Sequence, residues 1–220
     1  MHFWKYAALP AIAVSALASP AYAKAGDTLV RVRAIMVAPT ESSDGILPAF
    51  PTEEVRVNNS IMPEIDITHM VSDHVGLELI AATTKHNASG TSGTTGGIGK
   101  LASTWVLPPT LTVQYHFAPD AKVRPYVGAG VNYTMFYSEK PSAGLETAVG
   151  QTDVDLKDSF GWAAQAGIDI DLNEKIFLNF DVKYIDIDTT ARLATTAIGT
   201  QRVKISLDPI VFGVGMGFRF

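Results

Sequence analysis

The sequence predicts an all-β fold, namely an eight-stranded antiparallel transmembrane β-barrel with short periplasmic turns and long extracellular loops. Three observations lead to this prediction. Apolar residues recur with a period of two along eight separate segments. The connections between those segments are alternately short and long. Finally, the N-terminal stretch is typical of an exported chain.

Composition limits the classes of protein to be considered. The 220-residue chain has the size of one domain and contains no cysteine, which excludes disulfide scaffolds, thiol catalysis and cysteine-ligated metal sites. Its 17 basic and 22 acidic residues give a net charge of −5. That balance argues against a nucleic-acid partner, since such a protein carries a basic surface.

The first 23 residues have the features of a secretory signal peptide. Lys5 is followed by the apolar stretch 6–18, and the tripeptide Ala-Tyr-Ala at 21–23 has the small-x-small pattern that signal peptidase cleaves. We therefore predict a cleaved signal peptide at 1–23 and an outer-membrane β-barrel domain at 24–220. An N-terminal anchor helix is the alternative, but its apolar core is shorter than the ~20 residues that cross a bilayer.

The first four predicted strands lie at 28–38, 64–69, 77–81 and 110–117. Each places apolar residues at alternate positions, so that they share one face of the sheet. These positions are Val30, Val32, Ala34, Met36 and Ala38; Ile65, Ile67 and His69; Leu77, Leu79 and Ala81; and Leu111, Val113, Tyr115 and Phe117. The opposite faces carry Arg31 and Arg33; Glu64, Asp66 and Thr68; Glu78 and Ile80; and Thr110, Thr112, Gln114 and His116.

The last four predicted strands lie at 124–137, 161–170, 176–184 and 210–220, and they alternate in the same way. Their apolar faces carry Val127, Ala129, Val131, Tyr133 and Met135; Trp162, Ala164, Ala166, Ile168 and Ile170; Ile176, Leu178, Phe180, Val182 and Tyr184; and Ile210, Phe212, Val214, Met216, Phe218 and Phe220. The other faces carry Gly128, Gly130, Asn132 and Thr134; Gly161, Gln165, Gly167 and Asp169; Asn179, Asp181 and Lys183; and Gly213, Gly215, Gly217 and Arg219.

The connections divide into two length classes. Short connections of hairpin length are expected near 72–74, 118–122 and 172–175. Long connections are expected near 39–59, 85–106, 138–159 and 189–202. Short turns at one end and long loops at the other are the plan of an outer-membrane barrel, whose turns lie in the periplasm.

Alternation alone does not decide which face is outside, because a secreted lipocalin-like barrel turns its apolar face inward. Three features favour an apolar face in lipid. The polar face is rich in glycine and small residues, which fit the interior of a narrow barrel. The apolar face has aromatic residues near strand ends, as interfacial girdles do: Tyr115, Phe117, Tyr133, Tyr137, Trp162, Tyr184, Phe218 and Phe220. The polar face also carries charges that can pair as a plug in the lumen: Arg31, Arg33, Glu78, Asp169, Asp181 and Lys183.

No constellation typical of catalysis or metal binding is visible, and neither a cofactor nor an enzymatic activity is expected. The glycine-rich segment 93–100 lacks the spacing of a phosphate-binding loop and is interpreted as a flexible surface loop. The aspartates of 153–158 lack the glycine and the terminal glutamate of a calcium loop. Histidines without metal-ligand spacing are His69, His74, His86 and His116.

Six short motifs follow one another over nearly the whole chain after residue 23. They are GLELIAAT at 76–83 with Lys85-His86 after it, LPPTL at 107–111, RPYVGAGVNY at 124–133, YIDIDT at 184–189, LDP at 207–209 and GFRF at 217–220. Together these motifs resemble the OmpW/AlkL family of small outer-membrane β-barrel proteins. Phe220, with Phe218 on the same strand, also resembles the C-terminal signal that the barrel-assembly machinery recognises.

The resemblance implies a narrow hydrophobic passage that opens to the extracellular side. It admits small hydrophobic molecules and releases them sideways into the membrane through a gap in the barrel wall. Inward-facing apolar residues of the extracellular strand halves are expected to line it: Ile35, Ile80, Phe136, Ile185, Ile187 and Val211. Phe160, where the family tends to have an aromatic residue, and Met62, at the start of the second strand, are expected to constrict it. Alternatively, all of these residues simply fill a closed barrel.

We therefore expect a monomeric, non-enzymatic barrel of the outer membrane that takes up small hydrophobic solutes passively. Its expected partners are outer-membrane lipid and lipopolysaccharide, the solutes, and the barrel-assembly machinery during biogenesis. Two alternatives remain: a structural or receptor barrel whose loops contact phage, toxins or surfaces, and a soluble lipid-binding barrel in the periplasm.

Overall fold

The computed structural model describes residues 24–220, and the predicted signal peptide at 1–23 lies outside the described residues. Most of the described chain is β-structure, with two short helices. The elements are β1 (Thr28–Ala38), β2 (Ser42–Ser43), β3 (Val55–Val57), β4 (Ser60–Met70), β5 (Val75–Ala82), β6 (Thr84–Gly90), α1 (Gly93–Ile98), β7 (Lys100–Leu107), β8 (Thr110–His116), β9 (Val123–Pro141), α2 (Ala143–Val149), β10 (Thr152–Leu156), β11 (Ser159–Asp171), β12 (Ile176–Ile185), β13 (Asp188–Thr195), β14 (Gly199–Ser206) and β15 (Ile210–Arg219). Neither helix has the length and hydropathy to cross a bilayer.

Eight long strands close into an antiparallel barrel. Their order is β11-β12-β15-β1-β4-β5-β8-β9, and β9 pairs back onto β11 along twelve residue pairs from Ser159↔Thr134 to Ile170↔Val123. Closure gives each of these strands two hydrogen-bonded neighbours, which is what a β-structure needs in order to cross a bilayer. The predicted eight-stranded barrel is confirmed.

The two ends of the barrel differ, as predicted. At the periplasmic end, short turns at 71–74, 117–122 and 172–175 join neighbouring strands. The long connections leave the other end, and the structure shows that they are folded rather than loose. Strands β7, β6 and β3 extend the barrel sheet upward from β9, and β10-β13-β14-β2 form a separate four-stranded sheet above it. The barrel wall therefore continues well beyond the membrane.

The glycine-rich segment predicted to be a flexible loop is ordered in part. Residues Gly93–Ile98 form α1, and Thr95 is buried. The carboxylate of Glu53 accepts hydrogen bonds from the backbone N–H groups of Thr94 and Thr95, at 3.0 and 2.7 Å. This acceptor satisfies amides that a short helix otherwise leaves unpaired, which explains why a weak helix former is helical here.

The strand faces are oriented as the alternation predicted. Charged and polar residues of the barrel strands are buried in the lumen, whereas apolar residues such as Val32, Leu111 and Val214 are exposed on the outside. Aromatic residues on the outer surface form an extracellular group and a periplasmic group. The extracellular group contains Tyr133, Tyr137, Trp162 and Tyr184, and the periplasmic group contains Tyr115, Phe117, Phe218 and Phe220. An apolar exterior excludes the lipocalin-like alternative.

Glycines in the lumen make room for large side chains. A Cβ atom on Gly217 would overlap the ring of Phe177, and one on Gly167 would overlap the ring of Tyr126. Both rings are fully buried. The alternation of glycine with apolar residues thus lets an eight-stranded lumen hold aromatic rings beside its charged groups.

An apolar chamber above a buried ion-pair network

The lower lumen is filled by a network of buried charges centred on Arg31. Its Nη1 atom lies 2.9 Å from Asp66 Oδ1 and donates to Thr68 Oγ1 at 2.7 Å, and its Nη2 atom lies 3.1 Å from Asp169 Oδ2. Glu78 Oε1 is 3.5 Å from the same guanidinium. Since β1, β4, β5 and β11 supply these groups, Arg31 joins four strands across the barrel.

A second group of ion pairs lies directly above. Arg33 Nε is 2.8 Å from Glu64 Oε1, and Arg33 Nη2 is 2.6 Å from Asp66 Oδ2. Lys183 Nζ lies 2.9 Å from Glu64 Oε1 and 2.6 Å from Asp181 Oδ1. Glu64 thus accepts a hydrogen bond from Lys183 and forms an ion pair with Arg33, so it links β4 to β12 and β1.

The network also extends toward the periplasmic end. Arg124 pairs with Asp171, which Arg219 approaches to 3.2 Å. The Phe177 ring lies between the cations, with its centroid 5.6 Å from Arg31 Cζ and 5.3 Å from Arg124 Cζ, in the range of cation–π contacts. Charge and aromatic surface together fill this half of the lumen.

All six residues predicted to form a lumenal plug belong to this network. Four further members were not predicted to belong to the plug. Glu64 and Asp66 are on the polar face predicted for β4, Asp171 shares the parity of Asp169 on β11, and Arg124 is near the periplasmic start of β9. We call the whole set the lumenal network, and its members are Arg31, Arg33, Glu64, Asp66, Glu78, Arg124, Asp169, Asp171, Asp181 and Lys183. Because every member is buried and paired, the network is a polar floor across the lumen.

An apolar chamber of about 110 Å³ begins at this floor. Its base is the Glu64–Lys183 pair, and its lower wall consists of side chains from the extracellular halves of the barrel strands. All but two of the residues predicted to line or constrict a passage lie on this wall: Ile35, Ile80, Phe136, Ile185, Ile187 and Val211. Five of the six lie at inward positions of their strands, and Ile187 follows the same alternation just after β12. Their role in a passage stays a prediction.

The upper wall of the chamber comes from the extracellular strands, which the sequence analysis treated as loops. Ala191 of β13 pairs with Val203 of β14, and Leu193 pairs with Val154 of β10. Ile205 of β14 lines the chamber with them. A signal was present, since apolar residues alternate with polar ones along both 188–195 and 200–207. Above these residues, further apolar side chains pack on the same cluster: Ile98, Leu145, Val149 and Phe50.

The imidazole of His86, on the chamber wall, has a hydrogen-bond partner at each ring nitrogen. His86 Nε2 lies 3.0 Å from Thr84 Oγ1, and His86 Nδ1 lies 2.8 Å from the carbonyl oxygen of Asn58. Burial lowers the pKa of His86, although the Asn58 carbonyl opposes this shift. Burial therefore favours the neutral form of this imidazole, which adds no charge to the wall.

The predicted role of Phe160 is wrong, because the side chain lies outside the barrel. Phe160 is 72% exposed and has the same parity as Trp162, whose ring faces outward beside Tyr184. Met62 also does not line the chamber. It lies opposite Ile35 in the β1–β4 register but is half-buried at the upper part of the wall.

We expect the substitution Phe160→Ala to leave the uptake of hydrophobic probes unchanged, because the ring does not reach the chamber. The test compares the uptake of a hydrophobic probe into vesicles that contain either the purified variant or the unmodified barrel. A drop in uptake without a change in folding would contradict the outward position.

The two residues predicted to form an assembly signal have a defined position. Phe218 and Phe220 face outward at the periplasmic end, where an assembly signal would be accessible, and that role stays a prediction. Within residues 24–220, no group of three or more His, Asp or Glu side chains is arranged to hold a metal ion.

Comparison with known proteins shows a consistent similarity. A model described as the OmpW family matches residues 24–220. Outer membrane protein W of Vibrio cholerae is 36% identical over 213 residues, covering 96% of this chain and 96% of that protein. Outer membrane protein W of Escherichia coli K12 is 38% identical over 213 residues, covering 96% and 97%. The crystal structure of OprG from Pseudomonas aeruginosa matches with a TM-score of 0.86 and 32% identity, covering 92% of this chain and 99% of that one.

Proposed function

Since the chain belongs to the OmpW family and is a β-barrel of the outer membrane, we propose that it passively admits small hydrophobic molecules from the extracellular side. The apolar chamber is the observation that carries this proposal. It is enclosed by aliphatic side chains from both the barrel and the extracellular sheets, and its volume is on the scale of the roughly 150 Å³ apolar cavity that binds benzene.

The physical reason for uptake through the chamber is the free energy of transfer of an apolar solute from water into an apolar environment. An apolar solute that leaves water for an aliphatic chamber gains about 25 cal/mol for each Å² of surface removed from water. The same solute meets a charged, hydrated layer of lipopolysaccharide if it crosses the outer leaflet directly. A chamber that reaches below that layer therefore lowers the barrier for apolar solutes.

The lumenal network opposes a straight path to the periplasm. Its charges are paired and buried, and an apolar solute that passed between them would separate ion pairs without replacing their hydrogen bonds. In this proposal the solute leaves through the wall, as the family resemblance implied.

One gap in the strand pairing of the barrel wall suits a lateral exit for the solute, and we call it the seam. The β4–β5 ladder stops at Glu64↔Ala82, so residues 60–63 of β4 pair only with β1. Pro63 lies in this stretch and has no backbone N–H to offer a neighbour. Thr84 and His86 of β6, which line the chamber, lie on the other side of the seam. We propose that Met62 flanks this exit.

Flux measurements test the proposal. Vesicles that contain the purified barrel should take up a terpene-like probe faster than empty vesicles. Uptake equal to that of empty vesicles would refute transport and favour the structural or receptor barrel, whose folded extracellular sheets would then be its working part.

A matched pair of variants tests whether the chamber is the route. Ala191 of β13 lines the chamber, whereas Ala194 of the same strand lies on the outer face. We expect Ala191→Phe to fill the chamber and reduce uptake to near the empty-vesicle level, and Ala194→Phe to leave uptake unchanged. Equal uptake by the two variants would exclude the chamber as the route.

A further inference from the structure

The polar residues of the chamber wall lie mainly on one side of it. Strands β6, β7 and the start of β8 supply them, and they are Thr84, His86, Ser103, Thr104 and Thr110. Above the Glu64–Lys183 base, the lining side chains from β1 and from β12 to β15 are aliphatic apart from Thr189. The chamber is therefore amphipathic, with a polar side next to the seam and an aliphatic side away from it.

The hydrogen atoms of the Thr84–His86 pair follow from the chemistry of its partners. The carbonyl oxygen of Asn58, which lies 2.8 Å from His86 Nδ1, can only accept, so Nδ1 carries the hydrogen of the neutral imidazole. The other nitrogen, Nε2, is then an acceptor, and the hydroxyl group of Thr84 donates to it at 3.0 Å. Within residues 24–220, no group donates a hydrogen bond to Thr84 Oγ1 in return. The wall thus holds a buried oxygen that can still accept a hydrogen.

The other threonines of the wall also donate their hydroxyl hydrogens to the protein. Thr110 donates to the carbonyl of Pro108 at 2.9 Å, and Thr189 donates to that of Lys157 at 2.6 Å. Thr104 donates to the carbonyl of Trp105 at 3.1 Å. Ser103 is the exception, because its half-buried hydroxyl group has no partner among the described residues. Above its base, the wall therefore offers a solute more acceptors than donors.

Thr84 lies at the height of the extracellular aromatic group. The hydroxyl of the preceding residue, Thr83, is 2.6 Å from that of Tyr137. The seam begins at this height, and Asn58 and Asn87 close its upper end with two hydrogen bonds to each other. A solute whose polar end lies at Thr84 would therefore reach the seam at the level of the membrane–water interface, where amphipathic groups are favoured.

From this arrangement we propose that the chamber selects apolar solutes that carry one hydroxyl group, such as small cyclic or terpenoid alcohols, and that Thr84 Oγ1 accepts the hydrogen of that group. His86 is a positioning residue, because it binds the hydrogen of Thr84 and leaves the Thr84 oxygen as an acceptor. A hydrocarbon of the same shape leaves this oxygen unpaired and binds more weakly. The inference rests on the proposed function, in that the chamber is the solute site, and it adds the chemical class of the solute.

Three rings of similar size test the proposal. Methylcyclohexane has no polar group, cyclohexanol has a hydroxyl group, and cyclohexanone has a carbonyl group that only accepts. The purified barrel in phosphatidylcholine nanodiscs is titrated with each ring, and labelled methyl groups of Ile185 and Ile205, which line the chamber, report its occupancy by NMR. Since each ring partitions equally into the lipid of every sample, a change between variants in the ratio of two affinities reflects the protein.

We expect the ratio of the cyclohexanol affinity to the methylcyclohexane affinity to fall about fivefold in the double variant Thr84→Val, His86→Phe. The control Thr189→Val removes a hydroxyl group from the aliphatic side of the same chamber, and the ratio should stay within about twofold. An unchanged ratio in the double variant, or an equal fall in the control, would overturn the site. If the cyclohexanone ratio fell as far as the cyclohexanol ratio, the assignment of a hydroxyl donor would be wrong.

The single variant His86→Phe should have an effect of the opposite sign. It frees the hydrogen of Thr84 to donate to a solute, so the affinity for cyclohexanone should rise about fivefold relative to methylcyclohexane. A purely structural role of His86 predicts no such gain, and its absence would refute the positioning role.

A measurement on the unmodified barrel makes the test independent of variant folding. The proton on the hydroxyl-bearing carbon of bound cyclohexanol should show a nuclear Overhauser contact to the methyl group of Thr84. A contact to the methyl group of Thr189 instead would place the hydroxyl on the wrong side of the chamber. All of these are equilibrium measurements, so a barrel that failed the flux test but kept the preference for cyclohexanol would contradict the proposed transport alone.

Discussion

Replacement of Arg31 by methionine is expected to destabilise the barrel by about 3–5 kcal/mol. Arg31 is fully buried and contacts three carboxylates, those of Asp66, Glu78 and Asp169. Removal of the guanidinium leaves these groups in the lumen with one cation fewer, and water cannot replace it in a filled interior. The free energy of unfolding by urea in phospholipid vesicles, with heat-modifiable gel mobility as the folding assay, measures the loss.

Two controls distinguish a charge effect from a packing effect. Arg56→Met on β3 makes the same substitution at an exposed position, and it should change the free energy of unfolding by less than about 0.5 kcal/mol. Adding Asp66→Asn and Asp169→Asn to Arg31→Met removes the orphaned negative charges, and part of the lost stability should return. If Arg31→Met alone folded with unchanged stability, the lumenal network would not be what holds the interior together.

The second large effect is expected on the outside of the barrel. Val214→Arg should cost roughly 2–4 kcal/mol of folding free energy in a bilayer. Val214 is 50% exposed on the outer face, between Ala34 and Phe180 in the register and midway between the two aromatic groups. An arginine there stands near the middle of the hydrocarbon region, where its charge has no partner and little water.

The depth of the residue, rather than the substitution itself, should determine this cost. Val123→Arg is the same change on the same outer surface, but Val123 begins β9 at the periplasmic end, and its cost should be about 0–1 kcal/mol. Both values come from urea titrations of the barrel in vesicles. Equal costs for the two variants would show that the position of the barrel in the membrane is misassigned.

The sequence alone was sufficient to predict which side chains of a strand face the lumen and which face the lipid, because this depends only on the pleat of that strand. Side chains of a strand point alternately to its two faces, so the place of Arg31 between Val30 and Val32 already put its charge in the lumen. The same rule puts Ile35 and Val211 on the inner face, and both side chains line the chamber. It also contradicts the role carried over to Phe160, whose parity with Trp162 puts it outside.

Only the tertiary structure determined which distant groups meet. Arg31 and Asp169 are 138 residues apart, and their contact depends on barrel closure and on the register of every ladder between them. The height of the chamber likewise depends on β13 and β14 folding over the barrel, and on the register that sets Ala191 against Val203. The period of two is a local property of the backbone, whereas register and closure are collective properties of all the strands, and a pattern read along one strand does not contain them.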